Sequence, residues 1–202
     1  MTSDHTVSPA NLAERVVMTT LRWTWPFYGL GALYVVGPVL GWLLAGLALL
    51  VLYLGPAVRD DLRARGPIPP VVWAWIIGMI VMLIALWIGH LNWNLGTKTT
   101  IKSTVGWAKG WALLALFPLA GAVLPIRRDI LIRGQCVVGA WTLALLPLLA
   151  IAPFAGLPES IFTSPLKVVG GPGPEYFTVF FFTWDPGSWT PRWQFYAPWS
   201  PF

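Results

Sequence analysis

The sequence predicts an all-α fold: a polytopic transmembrane bundle of about five crossings, followed by an irregular, aromatic-rich tail on the outer side. Three observations carry that expectation. Of the 202 residues, 56% are hydrophobic and only 10% charged, where a soluble domain carries about a quarter charged residues. The mean hydropathy is +0.68. The apolar residues fall in long runs separated by arginine-containing or Gly/Pro-rich breaks.

Residues 1–15 are polar and form a cytoplasmic N-terminal segment. No cleavable leader is read there, because the apolar run that follows far exceeds the roughly 7–15 residues of a signal-peptide core. From Val16 to Leu54 the chain carries a single basic residue, Arg22. As one helix this stretch would reach about 58 Å, against a hydrocarbon core of about 30 Å. Gly37-Pro38 lies near its middle, and proline lacks a backbone donor and restricts its predecessor. The run is therefore divided into crossings at 16–36 and 38–55. A third crossing is expected from Val71 to Leu91, a fourth from Val105 to Leu124, and a fifth from Gln135 to Leu157, kinked by Pro147 and Pro153. The bundle thus covers 16–157 and the tail 158–202.

Arginine sets the orientation. The segments Arg59–Arg65 and Arg127–Arg133 are separated by two crossings and fall on one side. With Arg15 and Arg22, eight arginines lie there, against Lys98, Lys102, Lys109, Lys167 and Arg192 on the other. Positive-inside bias makes the arginine side cytoplasmic. The N-terminus is then cytoplasmic and the tail lies on the outer side.

The net charge of +5 does not point to nucleic acid, since the basic residues are dispersed among apolar segments and form no stripe along the chain. No HExxH, CxxC, GxSxG, P-loop or GxGxxG pattern occurs, which leaves zinc proteases, thiol oxidoreductases, serine hydrolases and nucleotide-binding folds without footing. Two histidines and one cysteine do not make a closed metal site, so no cofactor is expected. Cys136, in an apolar run, reads as a small buried hydrophobe.

His90 has two readings. It is either an interfacial histidine beside Trp87 and Trp93, or a proton-transferring or phosphate-contacting group at the mouth of an outward cavity. Lys109 either snorkels to the interface or pairs with an anionic ligand. Together with Lys98 and Lys102, they would present a positive outer surface to a phosphorylated lipid. The run Gly170–Glu175 reads as a tight turn or as a loop presenting backbone N–H groups to an anion. Glu159, Glu175 and Asp185 are the outer-side carboxylates, and no spacing pairs them as an acid and a base.

Between Tyr176 and Phe202, 12 of 27 residues are aromatic, and Arg192 is the only base. Trp73, Trp75, Trp87, Trp93, Trp107 and Trp111 sit at expected helix ends and fit an interfacial belt. Trp184, Trp189, Trp193 and Trp199 do not. Flat aromatic faces beside an arginine fork suit a sugar ring or acyl chain next to a phosphate; the same composition also suits a segment packed against the bundle and the headgroup layer.

Three stretches carry a family resemblance: Gly106-Trp-Ala-Lys-Gly-Trp-Ala-Leu113, Ser164-Pro-Leu-Lys-Val-Val-Gly-Gly-Pro-Gly-Pro-Glu-Tyr-Phe177, and Pro191-Arg-Trp-Gln-Phe-Tyr-Ala-Pro-Trp-Ser-Pro201. Over roughly residues 70–202 the chain resembles O-antigen ligase and polymerase-like membrane proteins of exopolysaccharide synthesis. The resemblance implies transfer of a glycan from an undecaprenyl-diphosphate carrier to an acceptor at the outer face of the membrane, without nucleotide or metal. Arg192 matches an arginine of the kind that engages the carrier diphosphate. Lys109, His90, Trp193 and Trp199 complete the expected substrate-binding set; the catalytic base stays unassigned. Such proteins have about ten or more crossings, so the chain is expected to be an N-terminal half. The alternative expectation is a noncatalytic membrane subunit, docked by its aromatic tail to partner subunits. A transporter is disfavoured, because no crossing centre contains a charged residue.

Overall fold

The computed structural model describes residues 8–54, 67–169, 173–185, 187–188 and 190–193. It is mostly helical. In chain order the helices are α1 (Leu12–Arg22), α2 (Thr24–Gly29), α3 (Leu33–Leu54), α4 (Pro70–Asn92), α5 (Gly96–Lys109), α6 (Leu113–Val123) and α7 (Arg128–Ile151). Short strands β1 (Ser160–Thr163), β2 (Thr178–Phe180), β3 (Thr183–Trp184) and β4 (Pro191–Arg192) follow, with 3-10 turns at Pro165–Val169 and Pro174–Phe177. Among the described residues four stretches are long and apolar enough to cross a membrane: Leu33–Tyr53, Pro70–Asn92, the broken pair Gly96–Val123, and Arg128–Ile151. This is the composition of a helical membrane protein.

The chain divides into two compact units, residues 1–36 with 127–202, and residues 37–126. In the first, Asn11 caps α1 by accepting from the Glu14 amide at 2.9 Å, and Glu14 reaches back to the Ala10 amide at 2.8 Å. This is close to a capping box. Helix α7 packs against α1 through Ile130, Gly134 and Val138, buried at a four-residue spacing. A Cβ on Gly134 would meet the side chain of Leu21, so a larger residue there would force Leu21 to shift. Cys136 lies off this face and is exposed, not buried as expected; two residues from Gly134 is more than half a helical turn away.

The expected division at Gly37-Pro38 is corrected. Helix α3 runs straight through Pro38. Pro38 sits near the helix start, where it forfeits one backbone bond, and Gly37 has no Cβ for the proline ring to press against. The break lies earlier, at Leu30-Gly31-Ala32, where Gly31 has φ +62°. The expected crossing 16–36 is consequently two short helices and a turn. The expected fourth crossing is likewise broken, at Gly110-Trp111-Ala112 between α5 and α6, and its helical structure begins at Gly96. By contrast, α4 matches the expected Val71–Leu91 to within a residue at either end.

In the second unit, α4 and α5 form an antiparallel hairpin around Asn94, at φ 48°, and Gly96, at φ +78°. Trp42 of α3 donates its indole N–H to the Ala108 carbonyl at 2.9 Å.

The tail, expected to be irregular, contains two small antiparallel sheets. In one, β1 pairs with β2 with a register shift between Ser160 and Phe162; in the other, Thr183 pairs with Arg192 and Trp184 with Pro191. Phe177, Val179 and Phe182 are buried. The Tyr28 hydroxyl donates to the Phe180 carbonyl at 2.7 Å and accepts from the Phe180 amide at 3.0 Å, so one side chain satisfies both backbone groups of a strand residue. Trp25, Tyr28, Leu149 and Val179 form a shared core. Tyr34 meets the rings of Tyr176 and Phe177 edge-on, each at 5.4 Å. A Cβ on Gly31 would lie 2.5 Å from the Phe177 carbonyl oxygen, so the α2–α3 turn and the tail fit only with glycine there.

Candidate functional site

The expected site residues fall in different units and have separate surroundings. Arg192 and Trp193 end the β3–β4 pair. The connection between those strands closes with the Asp185 amide donating to the Thr190 carbonyl at 3.0 Å. The Asp185 carboxylate accepts from Ser188 Oγ at 3.0 Å and pairs with Arg192 Nη2 at 2.9 Å. Asp185 thus fixes both its own turn and the guanidinium across the strand pair. The contact engages one terminal nitrogen and leaves 44% of the Arg192 side chain exposed. A guanidinium carries five N–H donors in a planar fork, so one carboxylate contact orients the group without exhausting it.

Trp193 donates its indole N–H to the carbonyl of Leu149 at 2.8 Å. In a continuous helix that carbonyl would accept from residue 153, which is Pro153 and has no N–H. Trp193 therefore supplies the missing donor and ties the tail to the end of α7. Trp193 is 40% exposed.

His90 and Lys109 belong to the other unit. Thr100 of α5 donates its hydroxyl proton to the Gly96 carbonyl at 3.1 Å, and the same oxygen lies 3.1 Å from His90 Nδ1. The His90–Thr100 contact joins the two helices of the hairpin near their turn. One turn along, Thr104 donates to the Thr100 carbonyl at 2.8 Å and accepts from Trp87 Nε1 at 2.9 Å. Lys109 is the last residue of α5 and is half-buried.

Trp199 lies outside the described residues, as do Trp189, residues 55–66 with Arg59, Arg63 and Arg65, and residues 170–172 of the glycine-rich run. In the described part of that run, Glu175 folds its carboxylate back over Gly173.

Sequence reasoning missed Glu14. It is fully buried, and its carboxylate accepts from the Arg127 amide at 3.0 Å, from Arg127 Nε at 2.8 Å and from Arg127 Nη2 at 2.7 Å, besides the Ala10 amide. Arg127 Nη2 also donates to the Ser8 carbonyl at 2.6 Å. The arginine fork and backbone donors hold the Glu14 carboxyl at about 2, well below the usual range. The pairing with Glu14 raises the Arg127 guanidinium in turn. The spacing Asn11-x-x-Glu14 ahead of an apolar run was the available signal. Among the described residues no group of three or more His, Cys, Asp or Glu side chains is placed to hold a metal ion.

No family model, curated protein or solved structure matches this chain.

Proposed function

We propose that the chain is a membrane-embedded glycosyltransferase-like protein of the O-antigen ligase or polymerase type. In this reading it engages an undecaprenyl-diphosphate-linked glycan that is transferred to an acceptor during surface or exopolysaccharide synthesis. One observation supports it above the others: a half-exposed guanidinium oriented by Asp185 directly precedes in sequence a tryptophan, Trp193, whose indole is tied to the end of a helix long enough to cross a membrane. A diphosphate needs a cation with unused donors, and a sugar or isoprenoid needs a flat apolar face. Arg192 and Trp193 supply the two at consecutive positions of the chain. The reading rests on this pair and not on His90 or Lys109.

Arginine distribution supports the orientation. The arginines at 59–65 and at 127–133 flank two of the candidate spans, α4 and α5–α6, so they share a side, and the tail after α7 takes the other. In the proposal the membrane is the bacterial inner membrane and the tail is periplasmic.

The test is complementation of a deletion strain with Arg192→Ala in the natural gene. Loss of exported polysaccharide at unchanged membrane abundance is expected, and normal polysaccharide would overturn the assignment. A second reading is a noncatalytic subunit docked to partner membrane subunits by its aromatic tail, where Ile161, Phe162 and Val168 are exposed. Purification in mild detergent separates the two: a stoichiometric partner, with polysaccharide unaffected by Arg192→Ala, favours the subunit.

A further inference from the structure

Helix α5 has two chemically distinct sides. At about 100° per residue, Thr100 and Thr104 share the side that bonds to His90 and Trp87 of α4. Lys98, Lys102 and Lys109 lie within roughly 40° of one another on the opposite side, along about 16 Å of helix. Lys98 and Lys102 are exposed, as are Ile101 and Val105 next to them on the wheel. No Asp or Glu occurs anywhere between Leu62 and Arg128, and among the described residues neither Lys98 nor Lys102 has an ion-pair partner. The pair sits one to two turns past the α4–α5 turn, whose Trp93 is exposed. A tryptophan and asparagines at the end of an apolar span mark a bilayer interface.

We infer that Lys98 and Lys102 form a binding surface for the headgroups of anionic phospholipids in the leaflet at the α4–α5 turn. The two ammonium groups lie about one turn apart, a spacing that fits neighbouring phosphates in one headgroup layer, while Ile101 and Val105 meet the upper acyl chains. Lysine suits this role because a flexible stem follows a fluid headgroup, where an arginine fork suits a fixed, bidentate partner. The charge complementarity is one-sided, since this stretch of chain supplies no carboxylate of its own. The inference does not depend on the glycan proposal, because Arg192 belongs to the other unit.

The test uses the purified chain in lipid nanodiscs containing phosphatidylcholine with or without phosphatidylglycerol. Lipids retained after detergent extraction are quantified by native mass spectrometry. Wild type is expected to retain phosphatidylglycerol over phosphatidylcholine by roughly threefold to tenfold. Lys98→Gln/Lys102→Gln should abolish that preference, and Lys98→Arg/Lys102→Arg should keep it. Equal retention of both lipids by wild type, or an undiminished preference in the glutamine variant at an unchanged melting temperature, would overturn the inference. Millimolar glycerol phosphate serves as competitor. Failure to displace the lipid supports a leaflet surface, and full displacement overturns it in favour of a site for soluble phosphate.

Discussion

The indole of Trp193 bonds to the backbone carbonyl of Leu149, which loses its ordinary helical donor because Pro153 follows four residues later. A residue from the sequence's most conspicuous aromatic stretch thus completes the end of a helix. The pairing makes a specific prediction. Trp193→Phe keeps most of the ring but strands a part-buried carbonyl, at a cost of about 1 kcal/mol. Pro153→Ala restores an N–H near that carbonyl, so in the Pro153→Ala background the cost of Trp193→Phe should shrink. A double-mutant cycle on detergent melting temperatures measures the coupling, and strict additivity would show that an N–H at residue 153 does not replace the indole as donor to Leu149.

Glu14 and Arg127 join segments 113 residues apart by three hydrogen bonds. The Arg127 side chain is 46% exposed and that of Glu14 only 1%, so the uncompensated partner after Arg127→Ala is a buried carboxylate. A loss of about 2 to 4 kcal/mol is expected, toward or below the range for a fully buried pair. Arg127→Lys recovers little, because a single ammonium cannot reproduce the two-nitrogen fork. Thermal unfolding in mild detergent reads both.

The same pair predicts an acid dependence. The Glu14 carboxyl sits at about 2 in the folded protein against an ordinary value of 4.5. Because the folded value is the lower one, ionisation favours the fold. The contribution is fully present above pH 4.5 and fades as pH falls toward 2. In Glu14→Gln the protein is less stable at pH 7, and its further loss between pH 4.5 and 2 should be smaller than in wild type. Parallel curves for the two proteins across that interval would remove Glu14 from the acid response.

Gly31→Ala tests how the tail is seated. The position combines φ +62° with a Cβ that would fall 2.5 Å from the Phe177 oxygen and 2.7 Å from Ser164 Cβ. Strain and collision act together, and a destabilisation of more than about 2 kcal/mol is expected. Tyr28→Phe removes the hydroxyl that serves both Phe180 backbone groups and should cost about 1 to 3 kcal/mol. Limited proteolysis within residues 160–193 should accelerate in both variants. Unchanged cleavage would show that neither contact seats the tail.

Helix α4 was legible because its limits are local: Pro69-Pro70 starts it, Trp93-Asn94 ends it, and every residue between is apolar or small up to His90. The break before α3 was misplaced because proline was given more weight than glycine. Pro38 close to a helix start is tolerated, whereas Gly31 turns the chain through a backbone conformation that other residues resist. The tryptophans were harder still. Trp25 and Trp87 each direct a ring N–H at a threonine, Thr142 and Thr104 respectively, and each of those threonines donates in turn to the carbonyl four residues before it. The hydroxyl proton is thereby committed, and the oxygen is left as an acceptor for the facing helix. Such a pairing depends on which helices become neighbours, which hydropathy does not encode. The position of Arg192 within an aromatic segment was readable; its carboxylate partner was not, because Asp185 joins it only once the strands pair.

That partner gives the last prediction. If Arg192 acts by contacting an anionic substrate, Asp185 is a positioning residue, and the two substitutions differ in kind. Arg192→Ala removes the cation and should abolish polysaccharide export in the natural gene. Asp185→Asn keeps a side chain that accepts from Ser188 and Arg192 but removes the charge that partly offsets the guanidinium. The guanidinium is then held less firmly, so it meets a diphosphate in the binding orientation less often. Asp185→Asn is therefore expected to export at a reduced rate that rises toward wild type with donor supply, whereas Arg192→Ala stays inactive at any supply. If the ion pair only staples the β3–β4 turn, both variants should lose melting temperature together and both should retain export. Measuring export and stability side by side for the two proteins decides whether Arg192 meets a ligand or serves only the fold of the tail.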